Sequence, residues 1–436
     1  MTHEEALAYL SSLEVLGIRP GLDRIRALLA RLGDPHTSFP SILIAGTNGK
    51  GSVAAYTASI LRQAGHAPGV YTSPHLVGFE ERIVVGEEPI PGAEVAALAS
   101  EVSGAISDDP LLRDDPPTYF EATTALAFLH FKKRKVPIAV LEVGMGGRFD
   151  ATNAVTPLLC AVTSIAIDHA RWLGGTFAEI AYQKAGILRS GVTSVVARQE
   201  PSALDVIRSE ARRVGAHLTL TTDCVVRAAG ARGSEGLFPD PPVFSLATPA
   251  GGRYADLAPA LRGAHQVENA VTAVLLAEHL AAAGVSGVEP GVIASGLHKT
   301  IWPGRLELLP GEPDLLLDGA HNPAGCSALA AYLRQYQDRR PKVLVFAAMK
   351  DKPVADMLDI LSPLVDTVIV TGLPVARGET PERLHRIVST RHPRAACTKT
   401  VGQALHVARD TAGPGALVVI SGSLYLVGEV KKLLSR

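Results

Sequence analysis

The sequence predicts an α/β protein with two domains, each built on a largely parallel β-sheet. Short apolar runs alternate with stretches of helical spacing along most of the 436 residues, as expected where helices cover a parallel sheet. One series of apolar runs ends near residue 200, and a second begins near 305, after the Gly- and Pro-containing segment GLHKTIWPGR (296–305). We therefore predict a larger domain over 1–298 and a smaller, Rossmann-like α/β domain over 299–436.

Five apolar runs predict the strands of the larger domain, at 41–45, 68–72, 138–143, 158–165 and 193–198, with a helix at 120–135 among those between them. The segment 227–244 is rich in Gly and Pro and is predicted to loop out. In the smaller domain the predicted strands lie in RLELL (305–309), DLLLDGA (314–320), KVLVFAAM (342–349), DTVIVTGL (366–373) and GALVVISGS (415–423).

Composition argues against several classes of partner. The net charge is −1, from 42 basic and 43 acidic residues, so neither nucleic acid nor an anionic membrane is expected to bind. The four cysteines are far apart and indicate reduced thiols. Since neither a signal peptide nor an apolar run of membrane-spanning length is recognisable, we expect a soluble, cytoplasmic protein.

A glycine-rich turn between the first predicted strand and a helix is the clearest functional signal. The segment IAGTNGKGSVAAY (44–56) places Lys50 and Ser52 where a helix begins. Backbone N–H groups, the helix N-terminus and a lysine together favour phosphate, and a hydroxyl there suits a nucleotide-bound magnesium ion. The spacing departs from the common P-loop pattern by an extra Gly51. An ordinary strand-to-helix turn is the alternative, but we predict a P-loop-type phosphate site.

Polar residues at other predicted strand ends suggest a cleft. Glu142 ends one strand, and Asp168 and His169 end the strand predicted in TSIAIDHA (163–170). Carboxyl ends of parallel strands face the crevice where ligands bind, and a hard carboxylate oxygen suits magnesium. Taken singly, Glu142 is equally well interpreted as a solvated strand-end glutamate, and a lone histidine such as His169 is more often structural.

Three further features are weak by themselves. Lys184 is on a predicted helix and would ordinarily be a solvated lysine. Asn269 is predicted to open a helix, and Asp318 and His321 lie at a strand-to-helix turn of the second domain. Their positions suggest a cleft shared by both domains.

Nine motifs occur in one order along the chain: GTNGKGS, YTSPHL, TYFEATTALAF, LEVGMGGRFDATN, TSIAIDHA, QKAGI, HQVENA, WPGRLE and DGAHNPAG. Together they resemble the folylpolyglutamate synthase and dihydrofolate synthase family, within the Mur-ligase-like superfamily of ATP-dependent amide ligases. The resemblance spans residues from about 18 to 430 and implies a P-loop ATPase domain followed by the smaller Rossmann-like domain.

The resemblance implies a nucleotide and metal site. Glu142 and His169 would be magnesium ligands, Ser73 would serve a second magnesium position, and Ser52 the nucleotide-bound ion. Lys184 would carry a carbamate (N6-carboxylysine), because a free ammonium beside magnesium is unfavourable. Catalytic roles fall to Lys50, Lys184 and His321, the last facing glutamate or the phosphates. ATP would be held by Thr47, Asn48, Gly49, Lys50, Gly51, Ser52, Asn269, Arg305 and Asp318.

The implied substrates are ATP, L-glutamate and a folate or dihydropteroate. Independently of the resemblance, we expect a monomer without a nucleic-acid or membrane partner. Arg82 is the candidate partner of a substrate carboxylate. The pterin end would be bound by Tyr119, Phe120, Glu121, Phe149 and Asp150.

Several alternatives stay open at this point. A peptidoglycan-building Mur ligase would carry a substantial domain before the phosphate loop, where this chain has about 45 residues. A P-loop kinase or NTPase would leave the second domain and Lys184 without a role. A non-catalytic nucleotide-binding module is the third alternative, and the intact set of candidate catalytic residues argues against it: Lys50, Ser52, Glu142, His169 and Lys184. Within the family, the chain either glutamylates both dihydropteroate and folates, which we favour, or acts on folates alone.

Overall fold

The computed structural model describes residues 1–228, 240–335 and 340–435. Among these residues, no helix combines the length and apolarity needed to cross a lipid bilayer. The α-helices are α1 His3–Ser12, α2 Asp23–Arg31, α3 Lys50–Gln63, α4 Gly92–Asp108, α5 Pro110–Asp114, α6 Tyr119–Lys133, α7 Ala170–Leu173, α8 Phe177–Lys184, α9 Pro201–Val214, α10 His265–Ala282, α11 Pro290–His298, α12 Pro323–Gln335, α13 Val354–Leu361, α14 Pro381–Ser389, α15 Val401–Ala412 and α16 Leu424–Leu434.

An eight-stranded sheet forms the centre of the larger part of the protein. Its strands are β1 Ser41–Ala45, β2 Gly69–Tyr71, β3 Ile83–Val85, β4 Glu88–Pro89, β5 Ala139–Glu142, β6 Leu159–Val162, β7 Thr193–Val196 and β8 His217–Leu220. They lie in the order β4-β3-β2-β5-β1-β6-β7-β8, and only the pairs β2–β3 and β3–β4 are antiparallel within the described residues.

Both faces of this sheet are covered by helices. Leu43 of β1 packs with α2, α4 and α6 on one face, whereas Ile42 and Ile44 pack with α3, α10 and α11 on the other. Burial of every β1 residue explains why this strand is continuously apolar in sequence. The arrangement places the turn after β1 at the centre of the sheet's carboxyl edge.

A small antiparallel sheet follows, formed by β9 Val225–Ala228, β10 Phe244–Ala247 and β11 Arg253–Leu257. The loop predicted over 227–244 is therefore shorter at both ends than expected, because Arg227 and Ala228 belong to β9 and Phe244 begins β10. Its central residues, 229–239, lie outside the described residues.

The C-terminal part contains a second parallel sheet. Its strands are β12 Glu307–Leu309, β13 Asp314–Leu317, β14 Lys342–Phe346, β15 Thr367–Val370, β16 Ala395–Cys397 and β17 Leu417–Ser421, in the order β12-β13-β17-β14-β15-β16. Among these, β12 pairs antiparallel with β13, and the other pairs are parallel. Helices α12, α13 and α14 pack on one face and α15 and α16 on the other, so the predicted α/β fold class is confirmed.

The chain leaves the hydrophobic core of the first part just after the predicted domain boundary. Trp302 packs against the core beneath α3 and α10, whereas Leu306 belongs to the core of the second sheet. The chain therefore passes from one core to the other between these two residues. The boundary at 298/299 stays a prediction, and the packing favours a position a few residues later.

One predicted strand is too long. The run 158–165 forms β6 only over Leu159–Val162, and Asp168 and His169 lie in the loop that follows. His169 has a left-handed backbone conformation with φ 51°, which does not occur within a strand. The strand-end positions inferred for these two residues were wrong, although the loop still leads from the carboxyl edge of the sheet.

Candidate active site

A cavity of about 340 Å³ lies where the carboxyl ends of the two parallel sheets face each other. Segments following β1, β2, β5 and β6 line one side, and the turn between β13 and α12 lines the other. The cavity therefore brings together residues of both predicted domains. Those named from the sequence that line it are Thr47, Asn48, Gly49, Lys50, Gly51, Ser52, Ser73, Glu142, Asp168, His169, Lys184, Asn269, Arg305, Asp318 and His321.

The second half of the glycine-rich turn presents backbone N–H groups that can bind an anion. Gly49 caps α3 with φ 94°, and the N–H groups in the first turn of the helix have no intrahelical acceptor. The N–H groups of Thr47 and Asn48 point elsewhere, since both donate to the carbonyl oxygen of Ser164, at 2.9 and 3.2 Å. The donors available to a phosphate are thus those at the start of α3.

Lys50 and Glu142 are two charged residues that line the cavity close to each other. The Lys50 Nζ lies 3.2 Å from the Thr47 carbonyl oxygen and 4.0 Å from Glu142 Oε1. Glu142 also accepts a hydrogen bond from the Ser73 N–H at 3.2 Å. Burial raises the pKa of Glu142, and the Lys50 ammonium opposes the rise. A cationic ligand beside Glu142 would therefore favour the ionised carboxylate.

The magnesium ion implied by the resemblance would meet few protein donors here. In the described part of the chain, His, Cys, Asp and Glu side chains nowhere form a group of three positioned to hold a metal. Glu142, Ser73, His169 and Ser52 nevertheless line one cavity. Magnesium usually keeps several waters and binds through one or two carboxylates and substrate phosphates, so this sparse donor set fits a nucleotide-bound ion.

His169 can present a neutral imidazole. Burial, followed by the Lys352 ammonium, lowers the pKa of His169 to about 4. Its Nδ1 lies 3.8 Å from Asp351 Oδ2 of the second domain. At neutral pH the ring keeps a lone pair that is free to coordinate a cation.

Lys184 is buried, contrary to the solvated lysine that its sequence context alone would favour. It is the last residue of α8 and 3% exposed, and its Nζ donates to the carbonyl oxygen of Gly46 at 2.7 Å. Desolvation lowers the pKa of Lys184 well below its ordinary value, and the Lys50 charge lowers it further. The side chain is therefore directed at the phosphate loop, and burial favours loss of its proton.

The second domain contributes a turn that aims Arg305 at the cavity. Asp318 accepts hydrogen bonds from the N–H groups of Leu306, at 2.9 Å, and Ala320, at 3.0 Å. A side chain at Gly319 would lie 2.3 Å from Arg305 Nη1, so the glycine leaves room for the guanidinium. Asp318 thus orients the turn that carries Arg305 as well as lining the cavity.

Asn269 and His321 face the same space from opposite sides. Asn269 does not open a helix as expected, since α10 begins at His265 and Asn269 lies one turn inside it. Its Nδ2 donates to Gln266 Oε1 at 3.0 Å. Burial, then the Lys352 charge, lowers the pKa of His321 to about 4, and its Nδ1 donates to the Gly319 carbonyl oxygen at 2.9 Å.

The predicted folate residues lie outside the described lining of this cavity. Arg82 is 6% exposed, lies 5.4 Å from the Tyr119 ring centroid and donates from Nε to His75 Nδ1 at 2.9 Å. A buried guanidinium bonded to a neutral ring keeps donors for an anion. Phe120 packs against Gly144, where an added Cβ would lie 2.5 Å from the ring.

Two of the predicted folate carboxylates already have partners. Glu121 closes a capping box with Thr118 at the start of α6 and binds Arg24 Nε at 3.2 Å. Asp150 accepts from the Met145 N–H at 2.9 Å and from the Thr152 hydroxyl at 2.6 Å, fixing the turn after β5. Phe149, by contrast, is 49% exposed on that turn. The carboxylates organise this region whether or not they also touch a substrate.

The sequence reasoning missed four residues that the structure places at the site. Gln266 donates to the Ser52 hydroxyl at 3.3 Å, and Trp302 lies over Gly51, whose added Cβ would be 2.9 Å from the ring. Asn322 and Lys352 reach Asp168 from the second domain. Gln266, Trp302 and Asn322 fall within the nine motifs, which is the signal that could have found them, whereas Lys352 lies outside all of them.

Comparison with known proteins agrees with this geometry. The Mur ligase middle domain family matches residues 44–277, and the Mur ligase glutamate ligase domain family matches residues 304–424. The dihydrofolate synthase/folylpolyglutamate synthase of Bacillus subtilis is 36% identical over 434 residues, covering 99% of this chain and 99% of that protein.

Solved structures agree over the whole chain. Mycobacterium tuberculosis folylpolyglutamate synthase complexed with ADP and AMPPCP gives a TM-score of 0.90 at 34% identity, covering 100% of this chain and 99% of that one. E. coli FolC in complex with DHPP and ADP gives 0.85 at 32% identity, covering 99% and 97%. The chain therefore belongs to the dihydrofolate synthase/folylpolyglutamate synthase family of Mur ligases, as its motifs indicated.

Proposed function

We propose that the protein is an ATP-dependent ligase that joins the amine of L-glutamate to a carboxylate of dihydropteroate or of a folate. The observation that carries this is the single cavity in which the phosphate loop of one domain faces Arg305 and His321 of the other. Two domains closing on one nucleotide suit a reaction whose intermediate must be kept from water.

Amide formation needs an activated carboxylate, because a carboxylate oxygen is a poor leaving group. The substrate carboxylate attacks the γ-phosphorus of ATP, the bond to the bridging oxygen breaks, and ADP leaves. The glutamate amine then attacks the acyl carbon, phosphate departs, and the amine releases a proton. An amide, ADP and inorganic phosphate are the products.

The residues of the cavity have matching roles. Lys50 and the N–H groups at the start of α3 would stabilise the negative charge of the transferred phosphoryl group. Arg305 would neutralise nucleotide charge from the opposite domain. His321, neutral at pH 7, suits acceptance of the amine proton better than charge pairing with a phosphate.

Glu142, His169, Ser73 and Ser52 would hold the required magnesium, which supplies neutralisation of phosphate charge when bound. Lys184 would carry a carbamate, whose oxygen is a suitable ligand for the magnesium ion. Arg82, beside Tyr119, would receive a carboxylate of the folate or pteroate.

Within the family we propose activity on both dihydropteroate and folates. The name of the Bacillus subtilis relative combines both synthases, and FolC of E. coli is described in complex with DHPP. The second candidate, action on folates alone, is favoured by the Lacticaseibacillus casei relative, which is 33% identical and named folylpolyglutamate synthase. A monomeric state, a cytoplasmic location and the absence of a nucleic-acid partner belong to the same proposal.

A substrate panel tests the function. Purified protein is incubated with ATP, magnesium, L-glutamate and either dihydropteroate or tetrahydrofolate monoglutamate. The products are identified by mass spectrometry. We expect a mass gain of one glutamyl residue on both, with glutamate-dependent ADP release. A gain on tetrahydrofolate alone would select the second candidate, and glutamate-independent ADP release would contradict the ligase assignment.

A further inference from the structure

Four polar side chains join the two domains in a continuous chain of contacts beside the phosphate loop. Asn48 and Asp168 belong to the first domain, and Asn322 and Lys352 to the second. Each successive contact crosses from one domain to the other, in the order Asn48, Asn322, Asp168, Lys352. We call these four residues the interdomain clasp.

The centre of the clasp is Asn322. Its Nδ2 donates to Asn48 Oδ1 and to Asp168 Oδ2, both at 3.0 Å, and its Oδ1 accepts from Asn48 Nδ2 at 3.2 Å. The N–H of Gly325 donates to the same Oδ1 at 2.8 Å, which fixes the amide orientation. Asn322 is only 1% exposed, and both the nitrogen and the oxygen of its side-chain amide are hydrogen-bonded.

The outer end of the clasp is an ion pair. Lys352 Nζ lies 2.5 Å from Asp168 Oδ1, and the two side chains are 5% and 6% exposed. Such a buried pair forms only while the two domains are in contact, since separation would return both charges to water. Burying two charges is unfavourable unless their geometry is good and their other hydrogen-bonding positions are filled. Asp168 meets this condition, since it also accepts from the His169 N–H and from Asn322 Nδ2.

Three of the four clasp residues lie next to candidate site residues along the chain. Asn48 lies in the phosphate loop, two residues before Lys50, and Asp168 immediately precedes His169. Asn322 immediately follows His321, so the same contacts set how the second domain faces the nucleotide. Small errors in such placement reduce catalysis strongly.

We propose that Asn322 and Lys352 are positioning residues that hold the second domain against the phosphate loop, so that turnover requires the clasp to form. This inference rests on the proposed ligase function for its kinetic consequence, but the clasp itself is a structural claim. Neither residue need touch a substrate, because both hold Asp168 and Asn322 also holds Asn48 of the phosphate loop.

The test uses Lys352→Met and Asn322→Ala, singly and together, in the full chain. Each single change is expected to lower kcat at least about 10-fold, while KM for glutamate changes less than about 3-fold. Because both residues act through Asp168, the double variant should lose no more than about 3-fold beyond the worse single variant. Independent, multiplicative losses would overturn the proposal.

Lys350→Met is the matched control. Lys350 lies two positions away in the same loop and donates to the Ala376 carbonyl oxygen at 2.9 Å in an exposed position of its own domain. It should retain wild-type kcat. A selective rise in KM for glutamate in Lys352→Met would instead make Lys352 a substrate ligand and overturn the proposal.

A measurement without turnover separates this inference from the proposed function. Small-angle X-ray scattering of unliganded protein should give a larger radius of gyration for the double variant than for wild type and Lys350→Met. Lys352→Gln, which keeps a hydrogen-bond donor, serves if Lys352→Met does not fold. Unchanged scattering by a folded variant would refute the clasp even if ligase activity is present, whereas an inactive wild type would refute only the function.

Discussion

The Nζ of Lys184 lies 2.7 Å from the carbonyl oxygen of Gly46, so the end of α8 is hydrogen-bonded to the first glycine of the phosphate loop. Burial lowers the pKa of this lysine well below its ordinary value, and the nearby Lys50 charge adds to the effect. A neutral amine is the form that adds carbon dioxide, giving a carbamate anion and releasing a proton. The position therefore supports the proposed carbamate chemically.

We predict that Lys184→Ala and Lys184→Arg are both folded and both nearly inactive. Arginine keeps the positive charge but cannot form the carbamate, so it should rescue nothing. ATP binding, measured by calorimetry, should persist in Lys184→Ala because the N–H groups of the phosphate loop remain. A carbamate signal from labelled carbon dioxide in the NMR spectrum of the wild-type enzyme is the direct measurement. An active Lys184→Arg variant without such a signal would contradict the carbamate.

Lys50→Ala should lower kcat/KM at least about 100-fold, which is roughly 3 kcal/mol of transition-state stabilisation. The reason is that Lys50 Nζ, between the Thr47 carbonyl oxygen and Glu142, faces the cavity and contributes nothing to a hydrophobic core. Thermal unfolding should therefore change little. Near-normal turnover by a folded variant would contradict the assignment of this loop to phosphate.

Gly49→Ala should weaken nucleotide binding at least about 10-fold, through two effects. The backbone at Gly49 has φ 94°, and an added Cβ would lie 2.3 Å from Asn269 Oδ1. Gly65, just beyond the other end of α3, has φ 87° and nothing within 4 Å of an added Cβ. Gly65→Ala thus carries similar backbone strain without the collision. Equal nucleotide affinity in the two variants would show that contact with Asn269 is unimportant.

Much of the central architecture followed from sequence. The run 41–45 forms β1 over Ser41–Ala45, because a strand buried on both faces is apolar throughout. The edge strand β16, Ala395–Cys397, was not anticipated, since three small residues, the last of them exposed, are too short a run to predict a strand. The loop after β6 was mistaken for strand because Ile165 and Ala166 are buried without being part of the sheet.

The site could be predicted from sequence only where a single segment contains the functional residues. The phosphate loop of Lys50 is local in sequence and could be recognised there. The burial of Lys184 could not, because it depends on a contact with Gly46, 138 residues away. Lys352 gave no local signal either, since its partner Asp168 is 184 residues away across the domain interface.

Acid should destabilise the protein below pH 6.5 through histidines that are buried in the neutral form. Burial, then the Arg82 charge, lowers the pKa of His75 from the ordinary histidine value of 6.5 to about 4. Between these values the unfolded chain binds a proton that the folded chain does not, so stability falls as pH decreases. His75→Asn should reduce the loss in Tm between pH 7 and 5, as measured by thermal unfolding at the two pH values. An unchanged pH dependence in His75→Asn would contradict this.

The last prediction concerns where the first domain ends. Trp302 packs on the core of that domain and covers Gly51 of the phosphate loop, so a fragment of residues 1–303 should unfold at a higher temperature than one of residues 1–298. Both fragments lack Arg305, Asp318 and His321, and both should be inactive at saturating ATP. Adding a separate 304–436 fragment should restore little activity, because the covalent connection supplies a high effective concentration. Equal stability of the two fragments would favour the boundary at 298/299, and full activity in either would show that the cleft does not need the second domain.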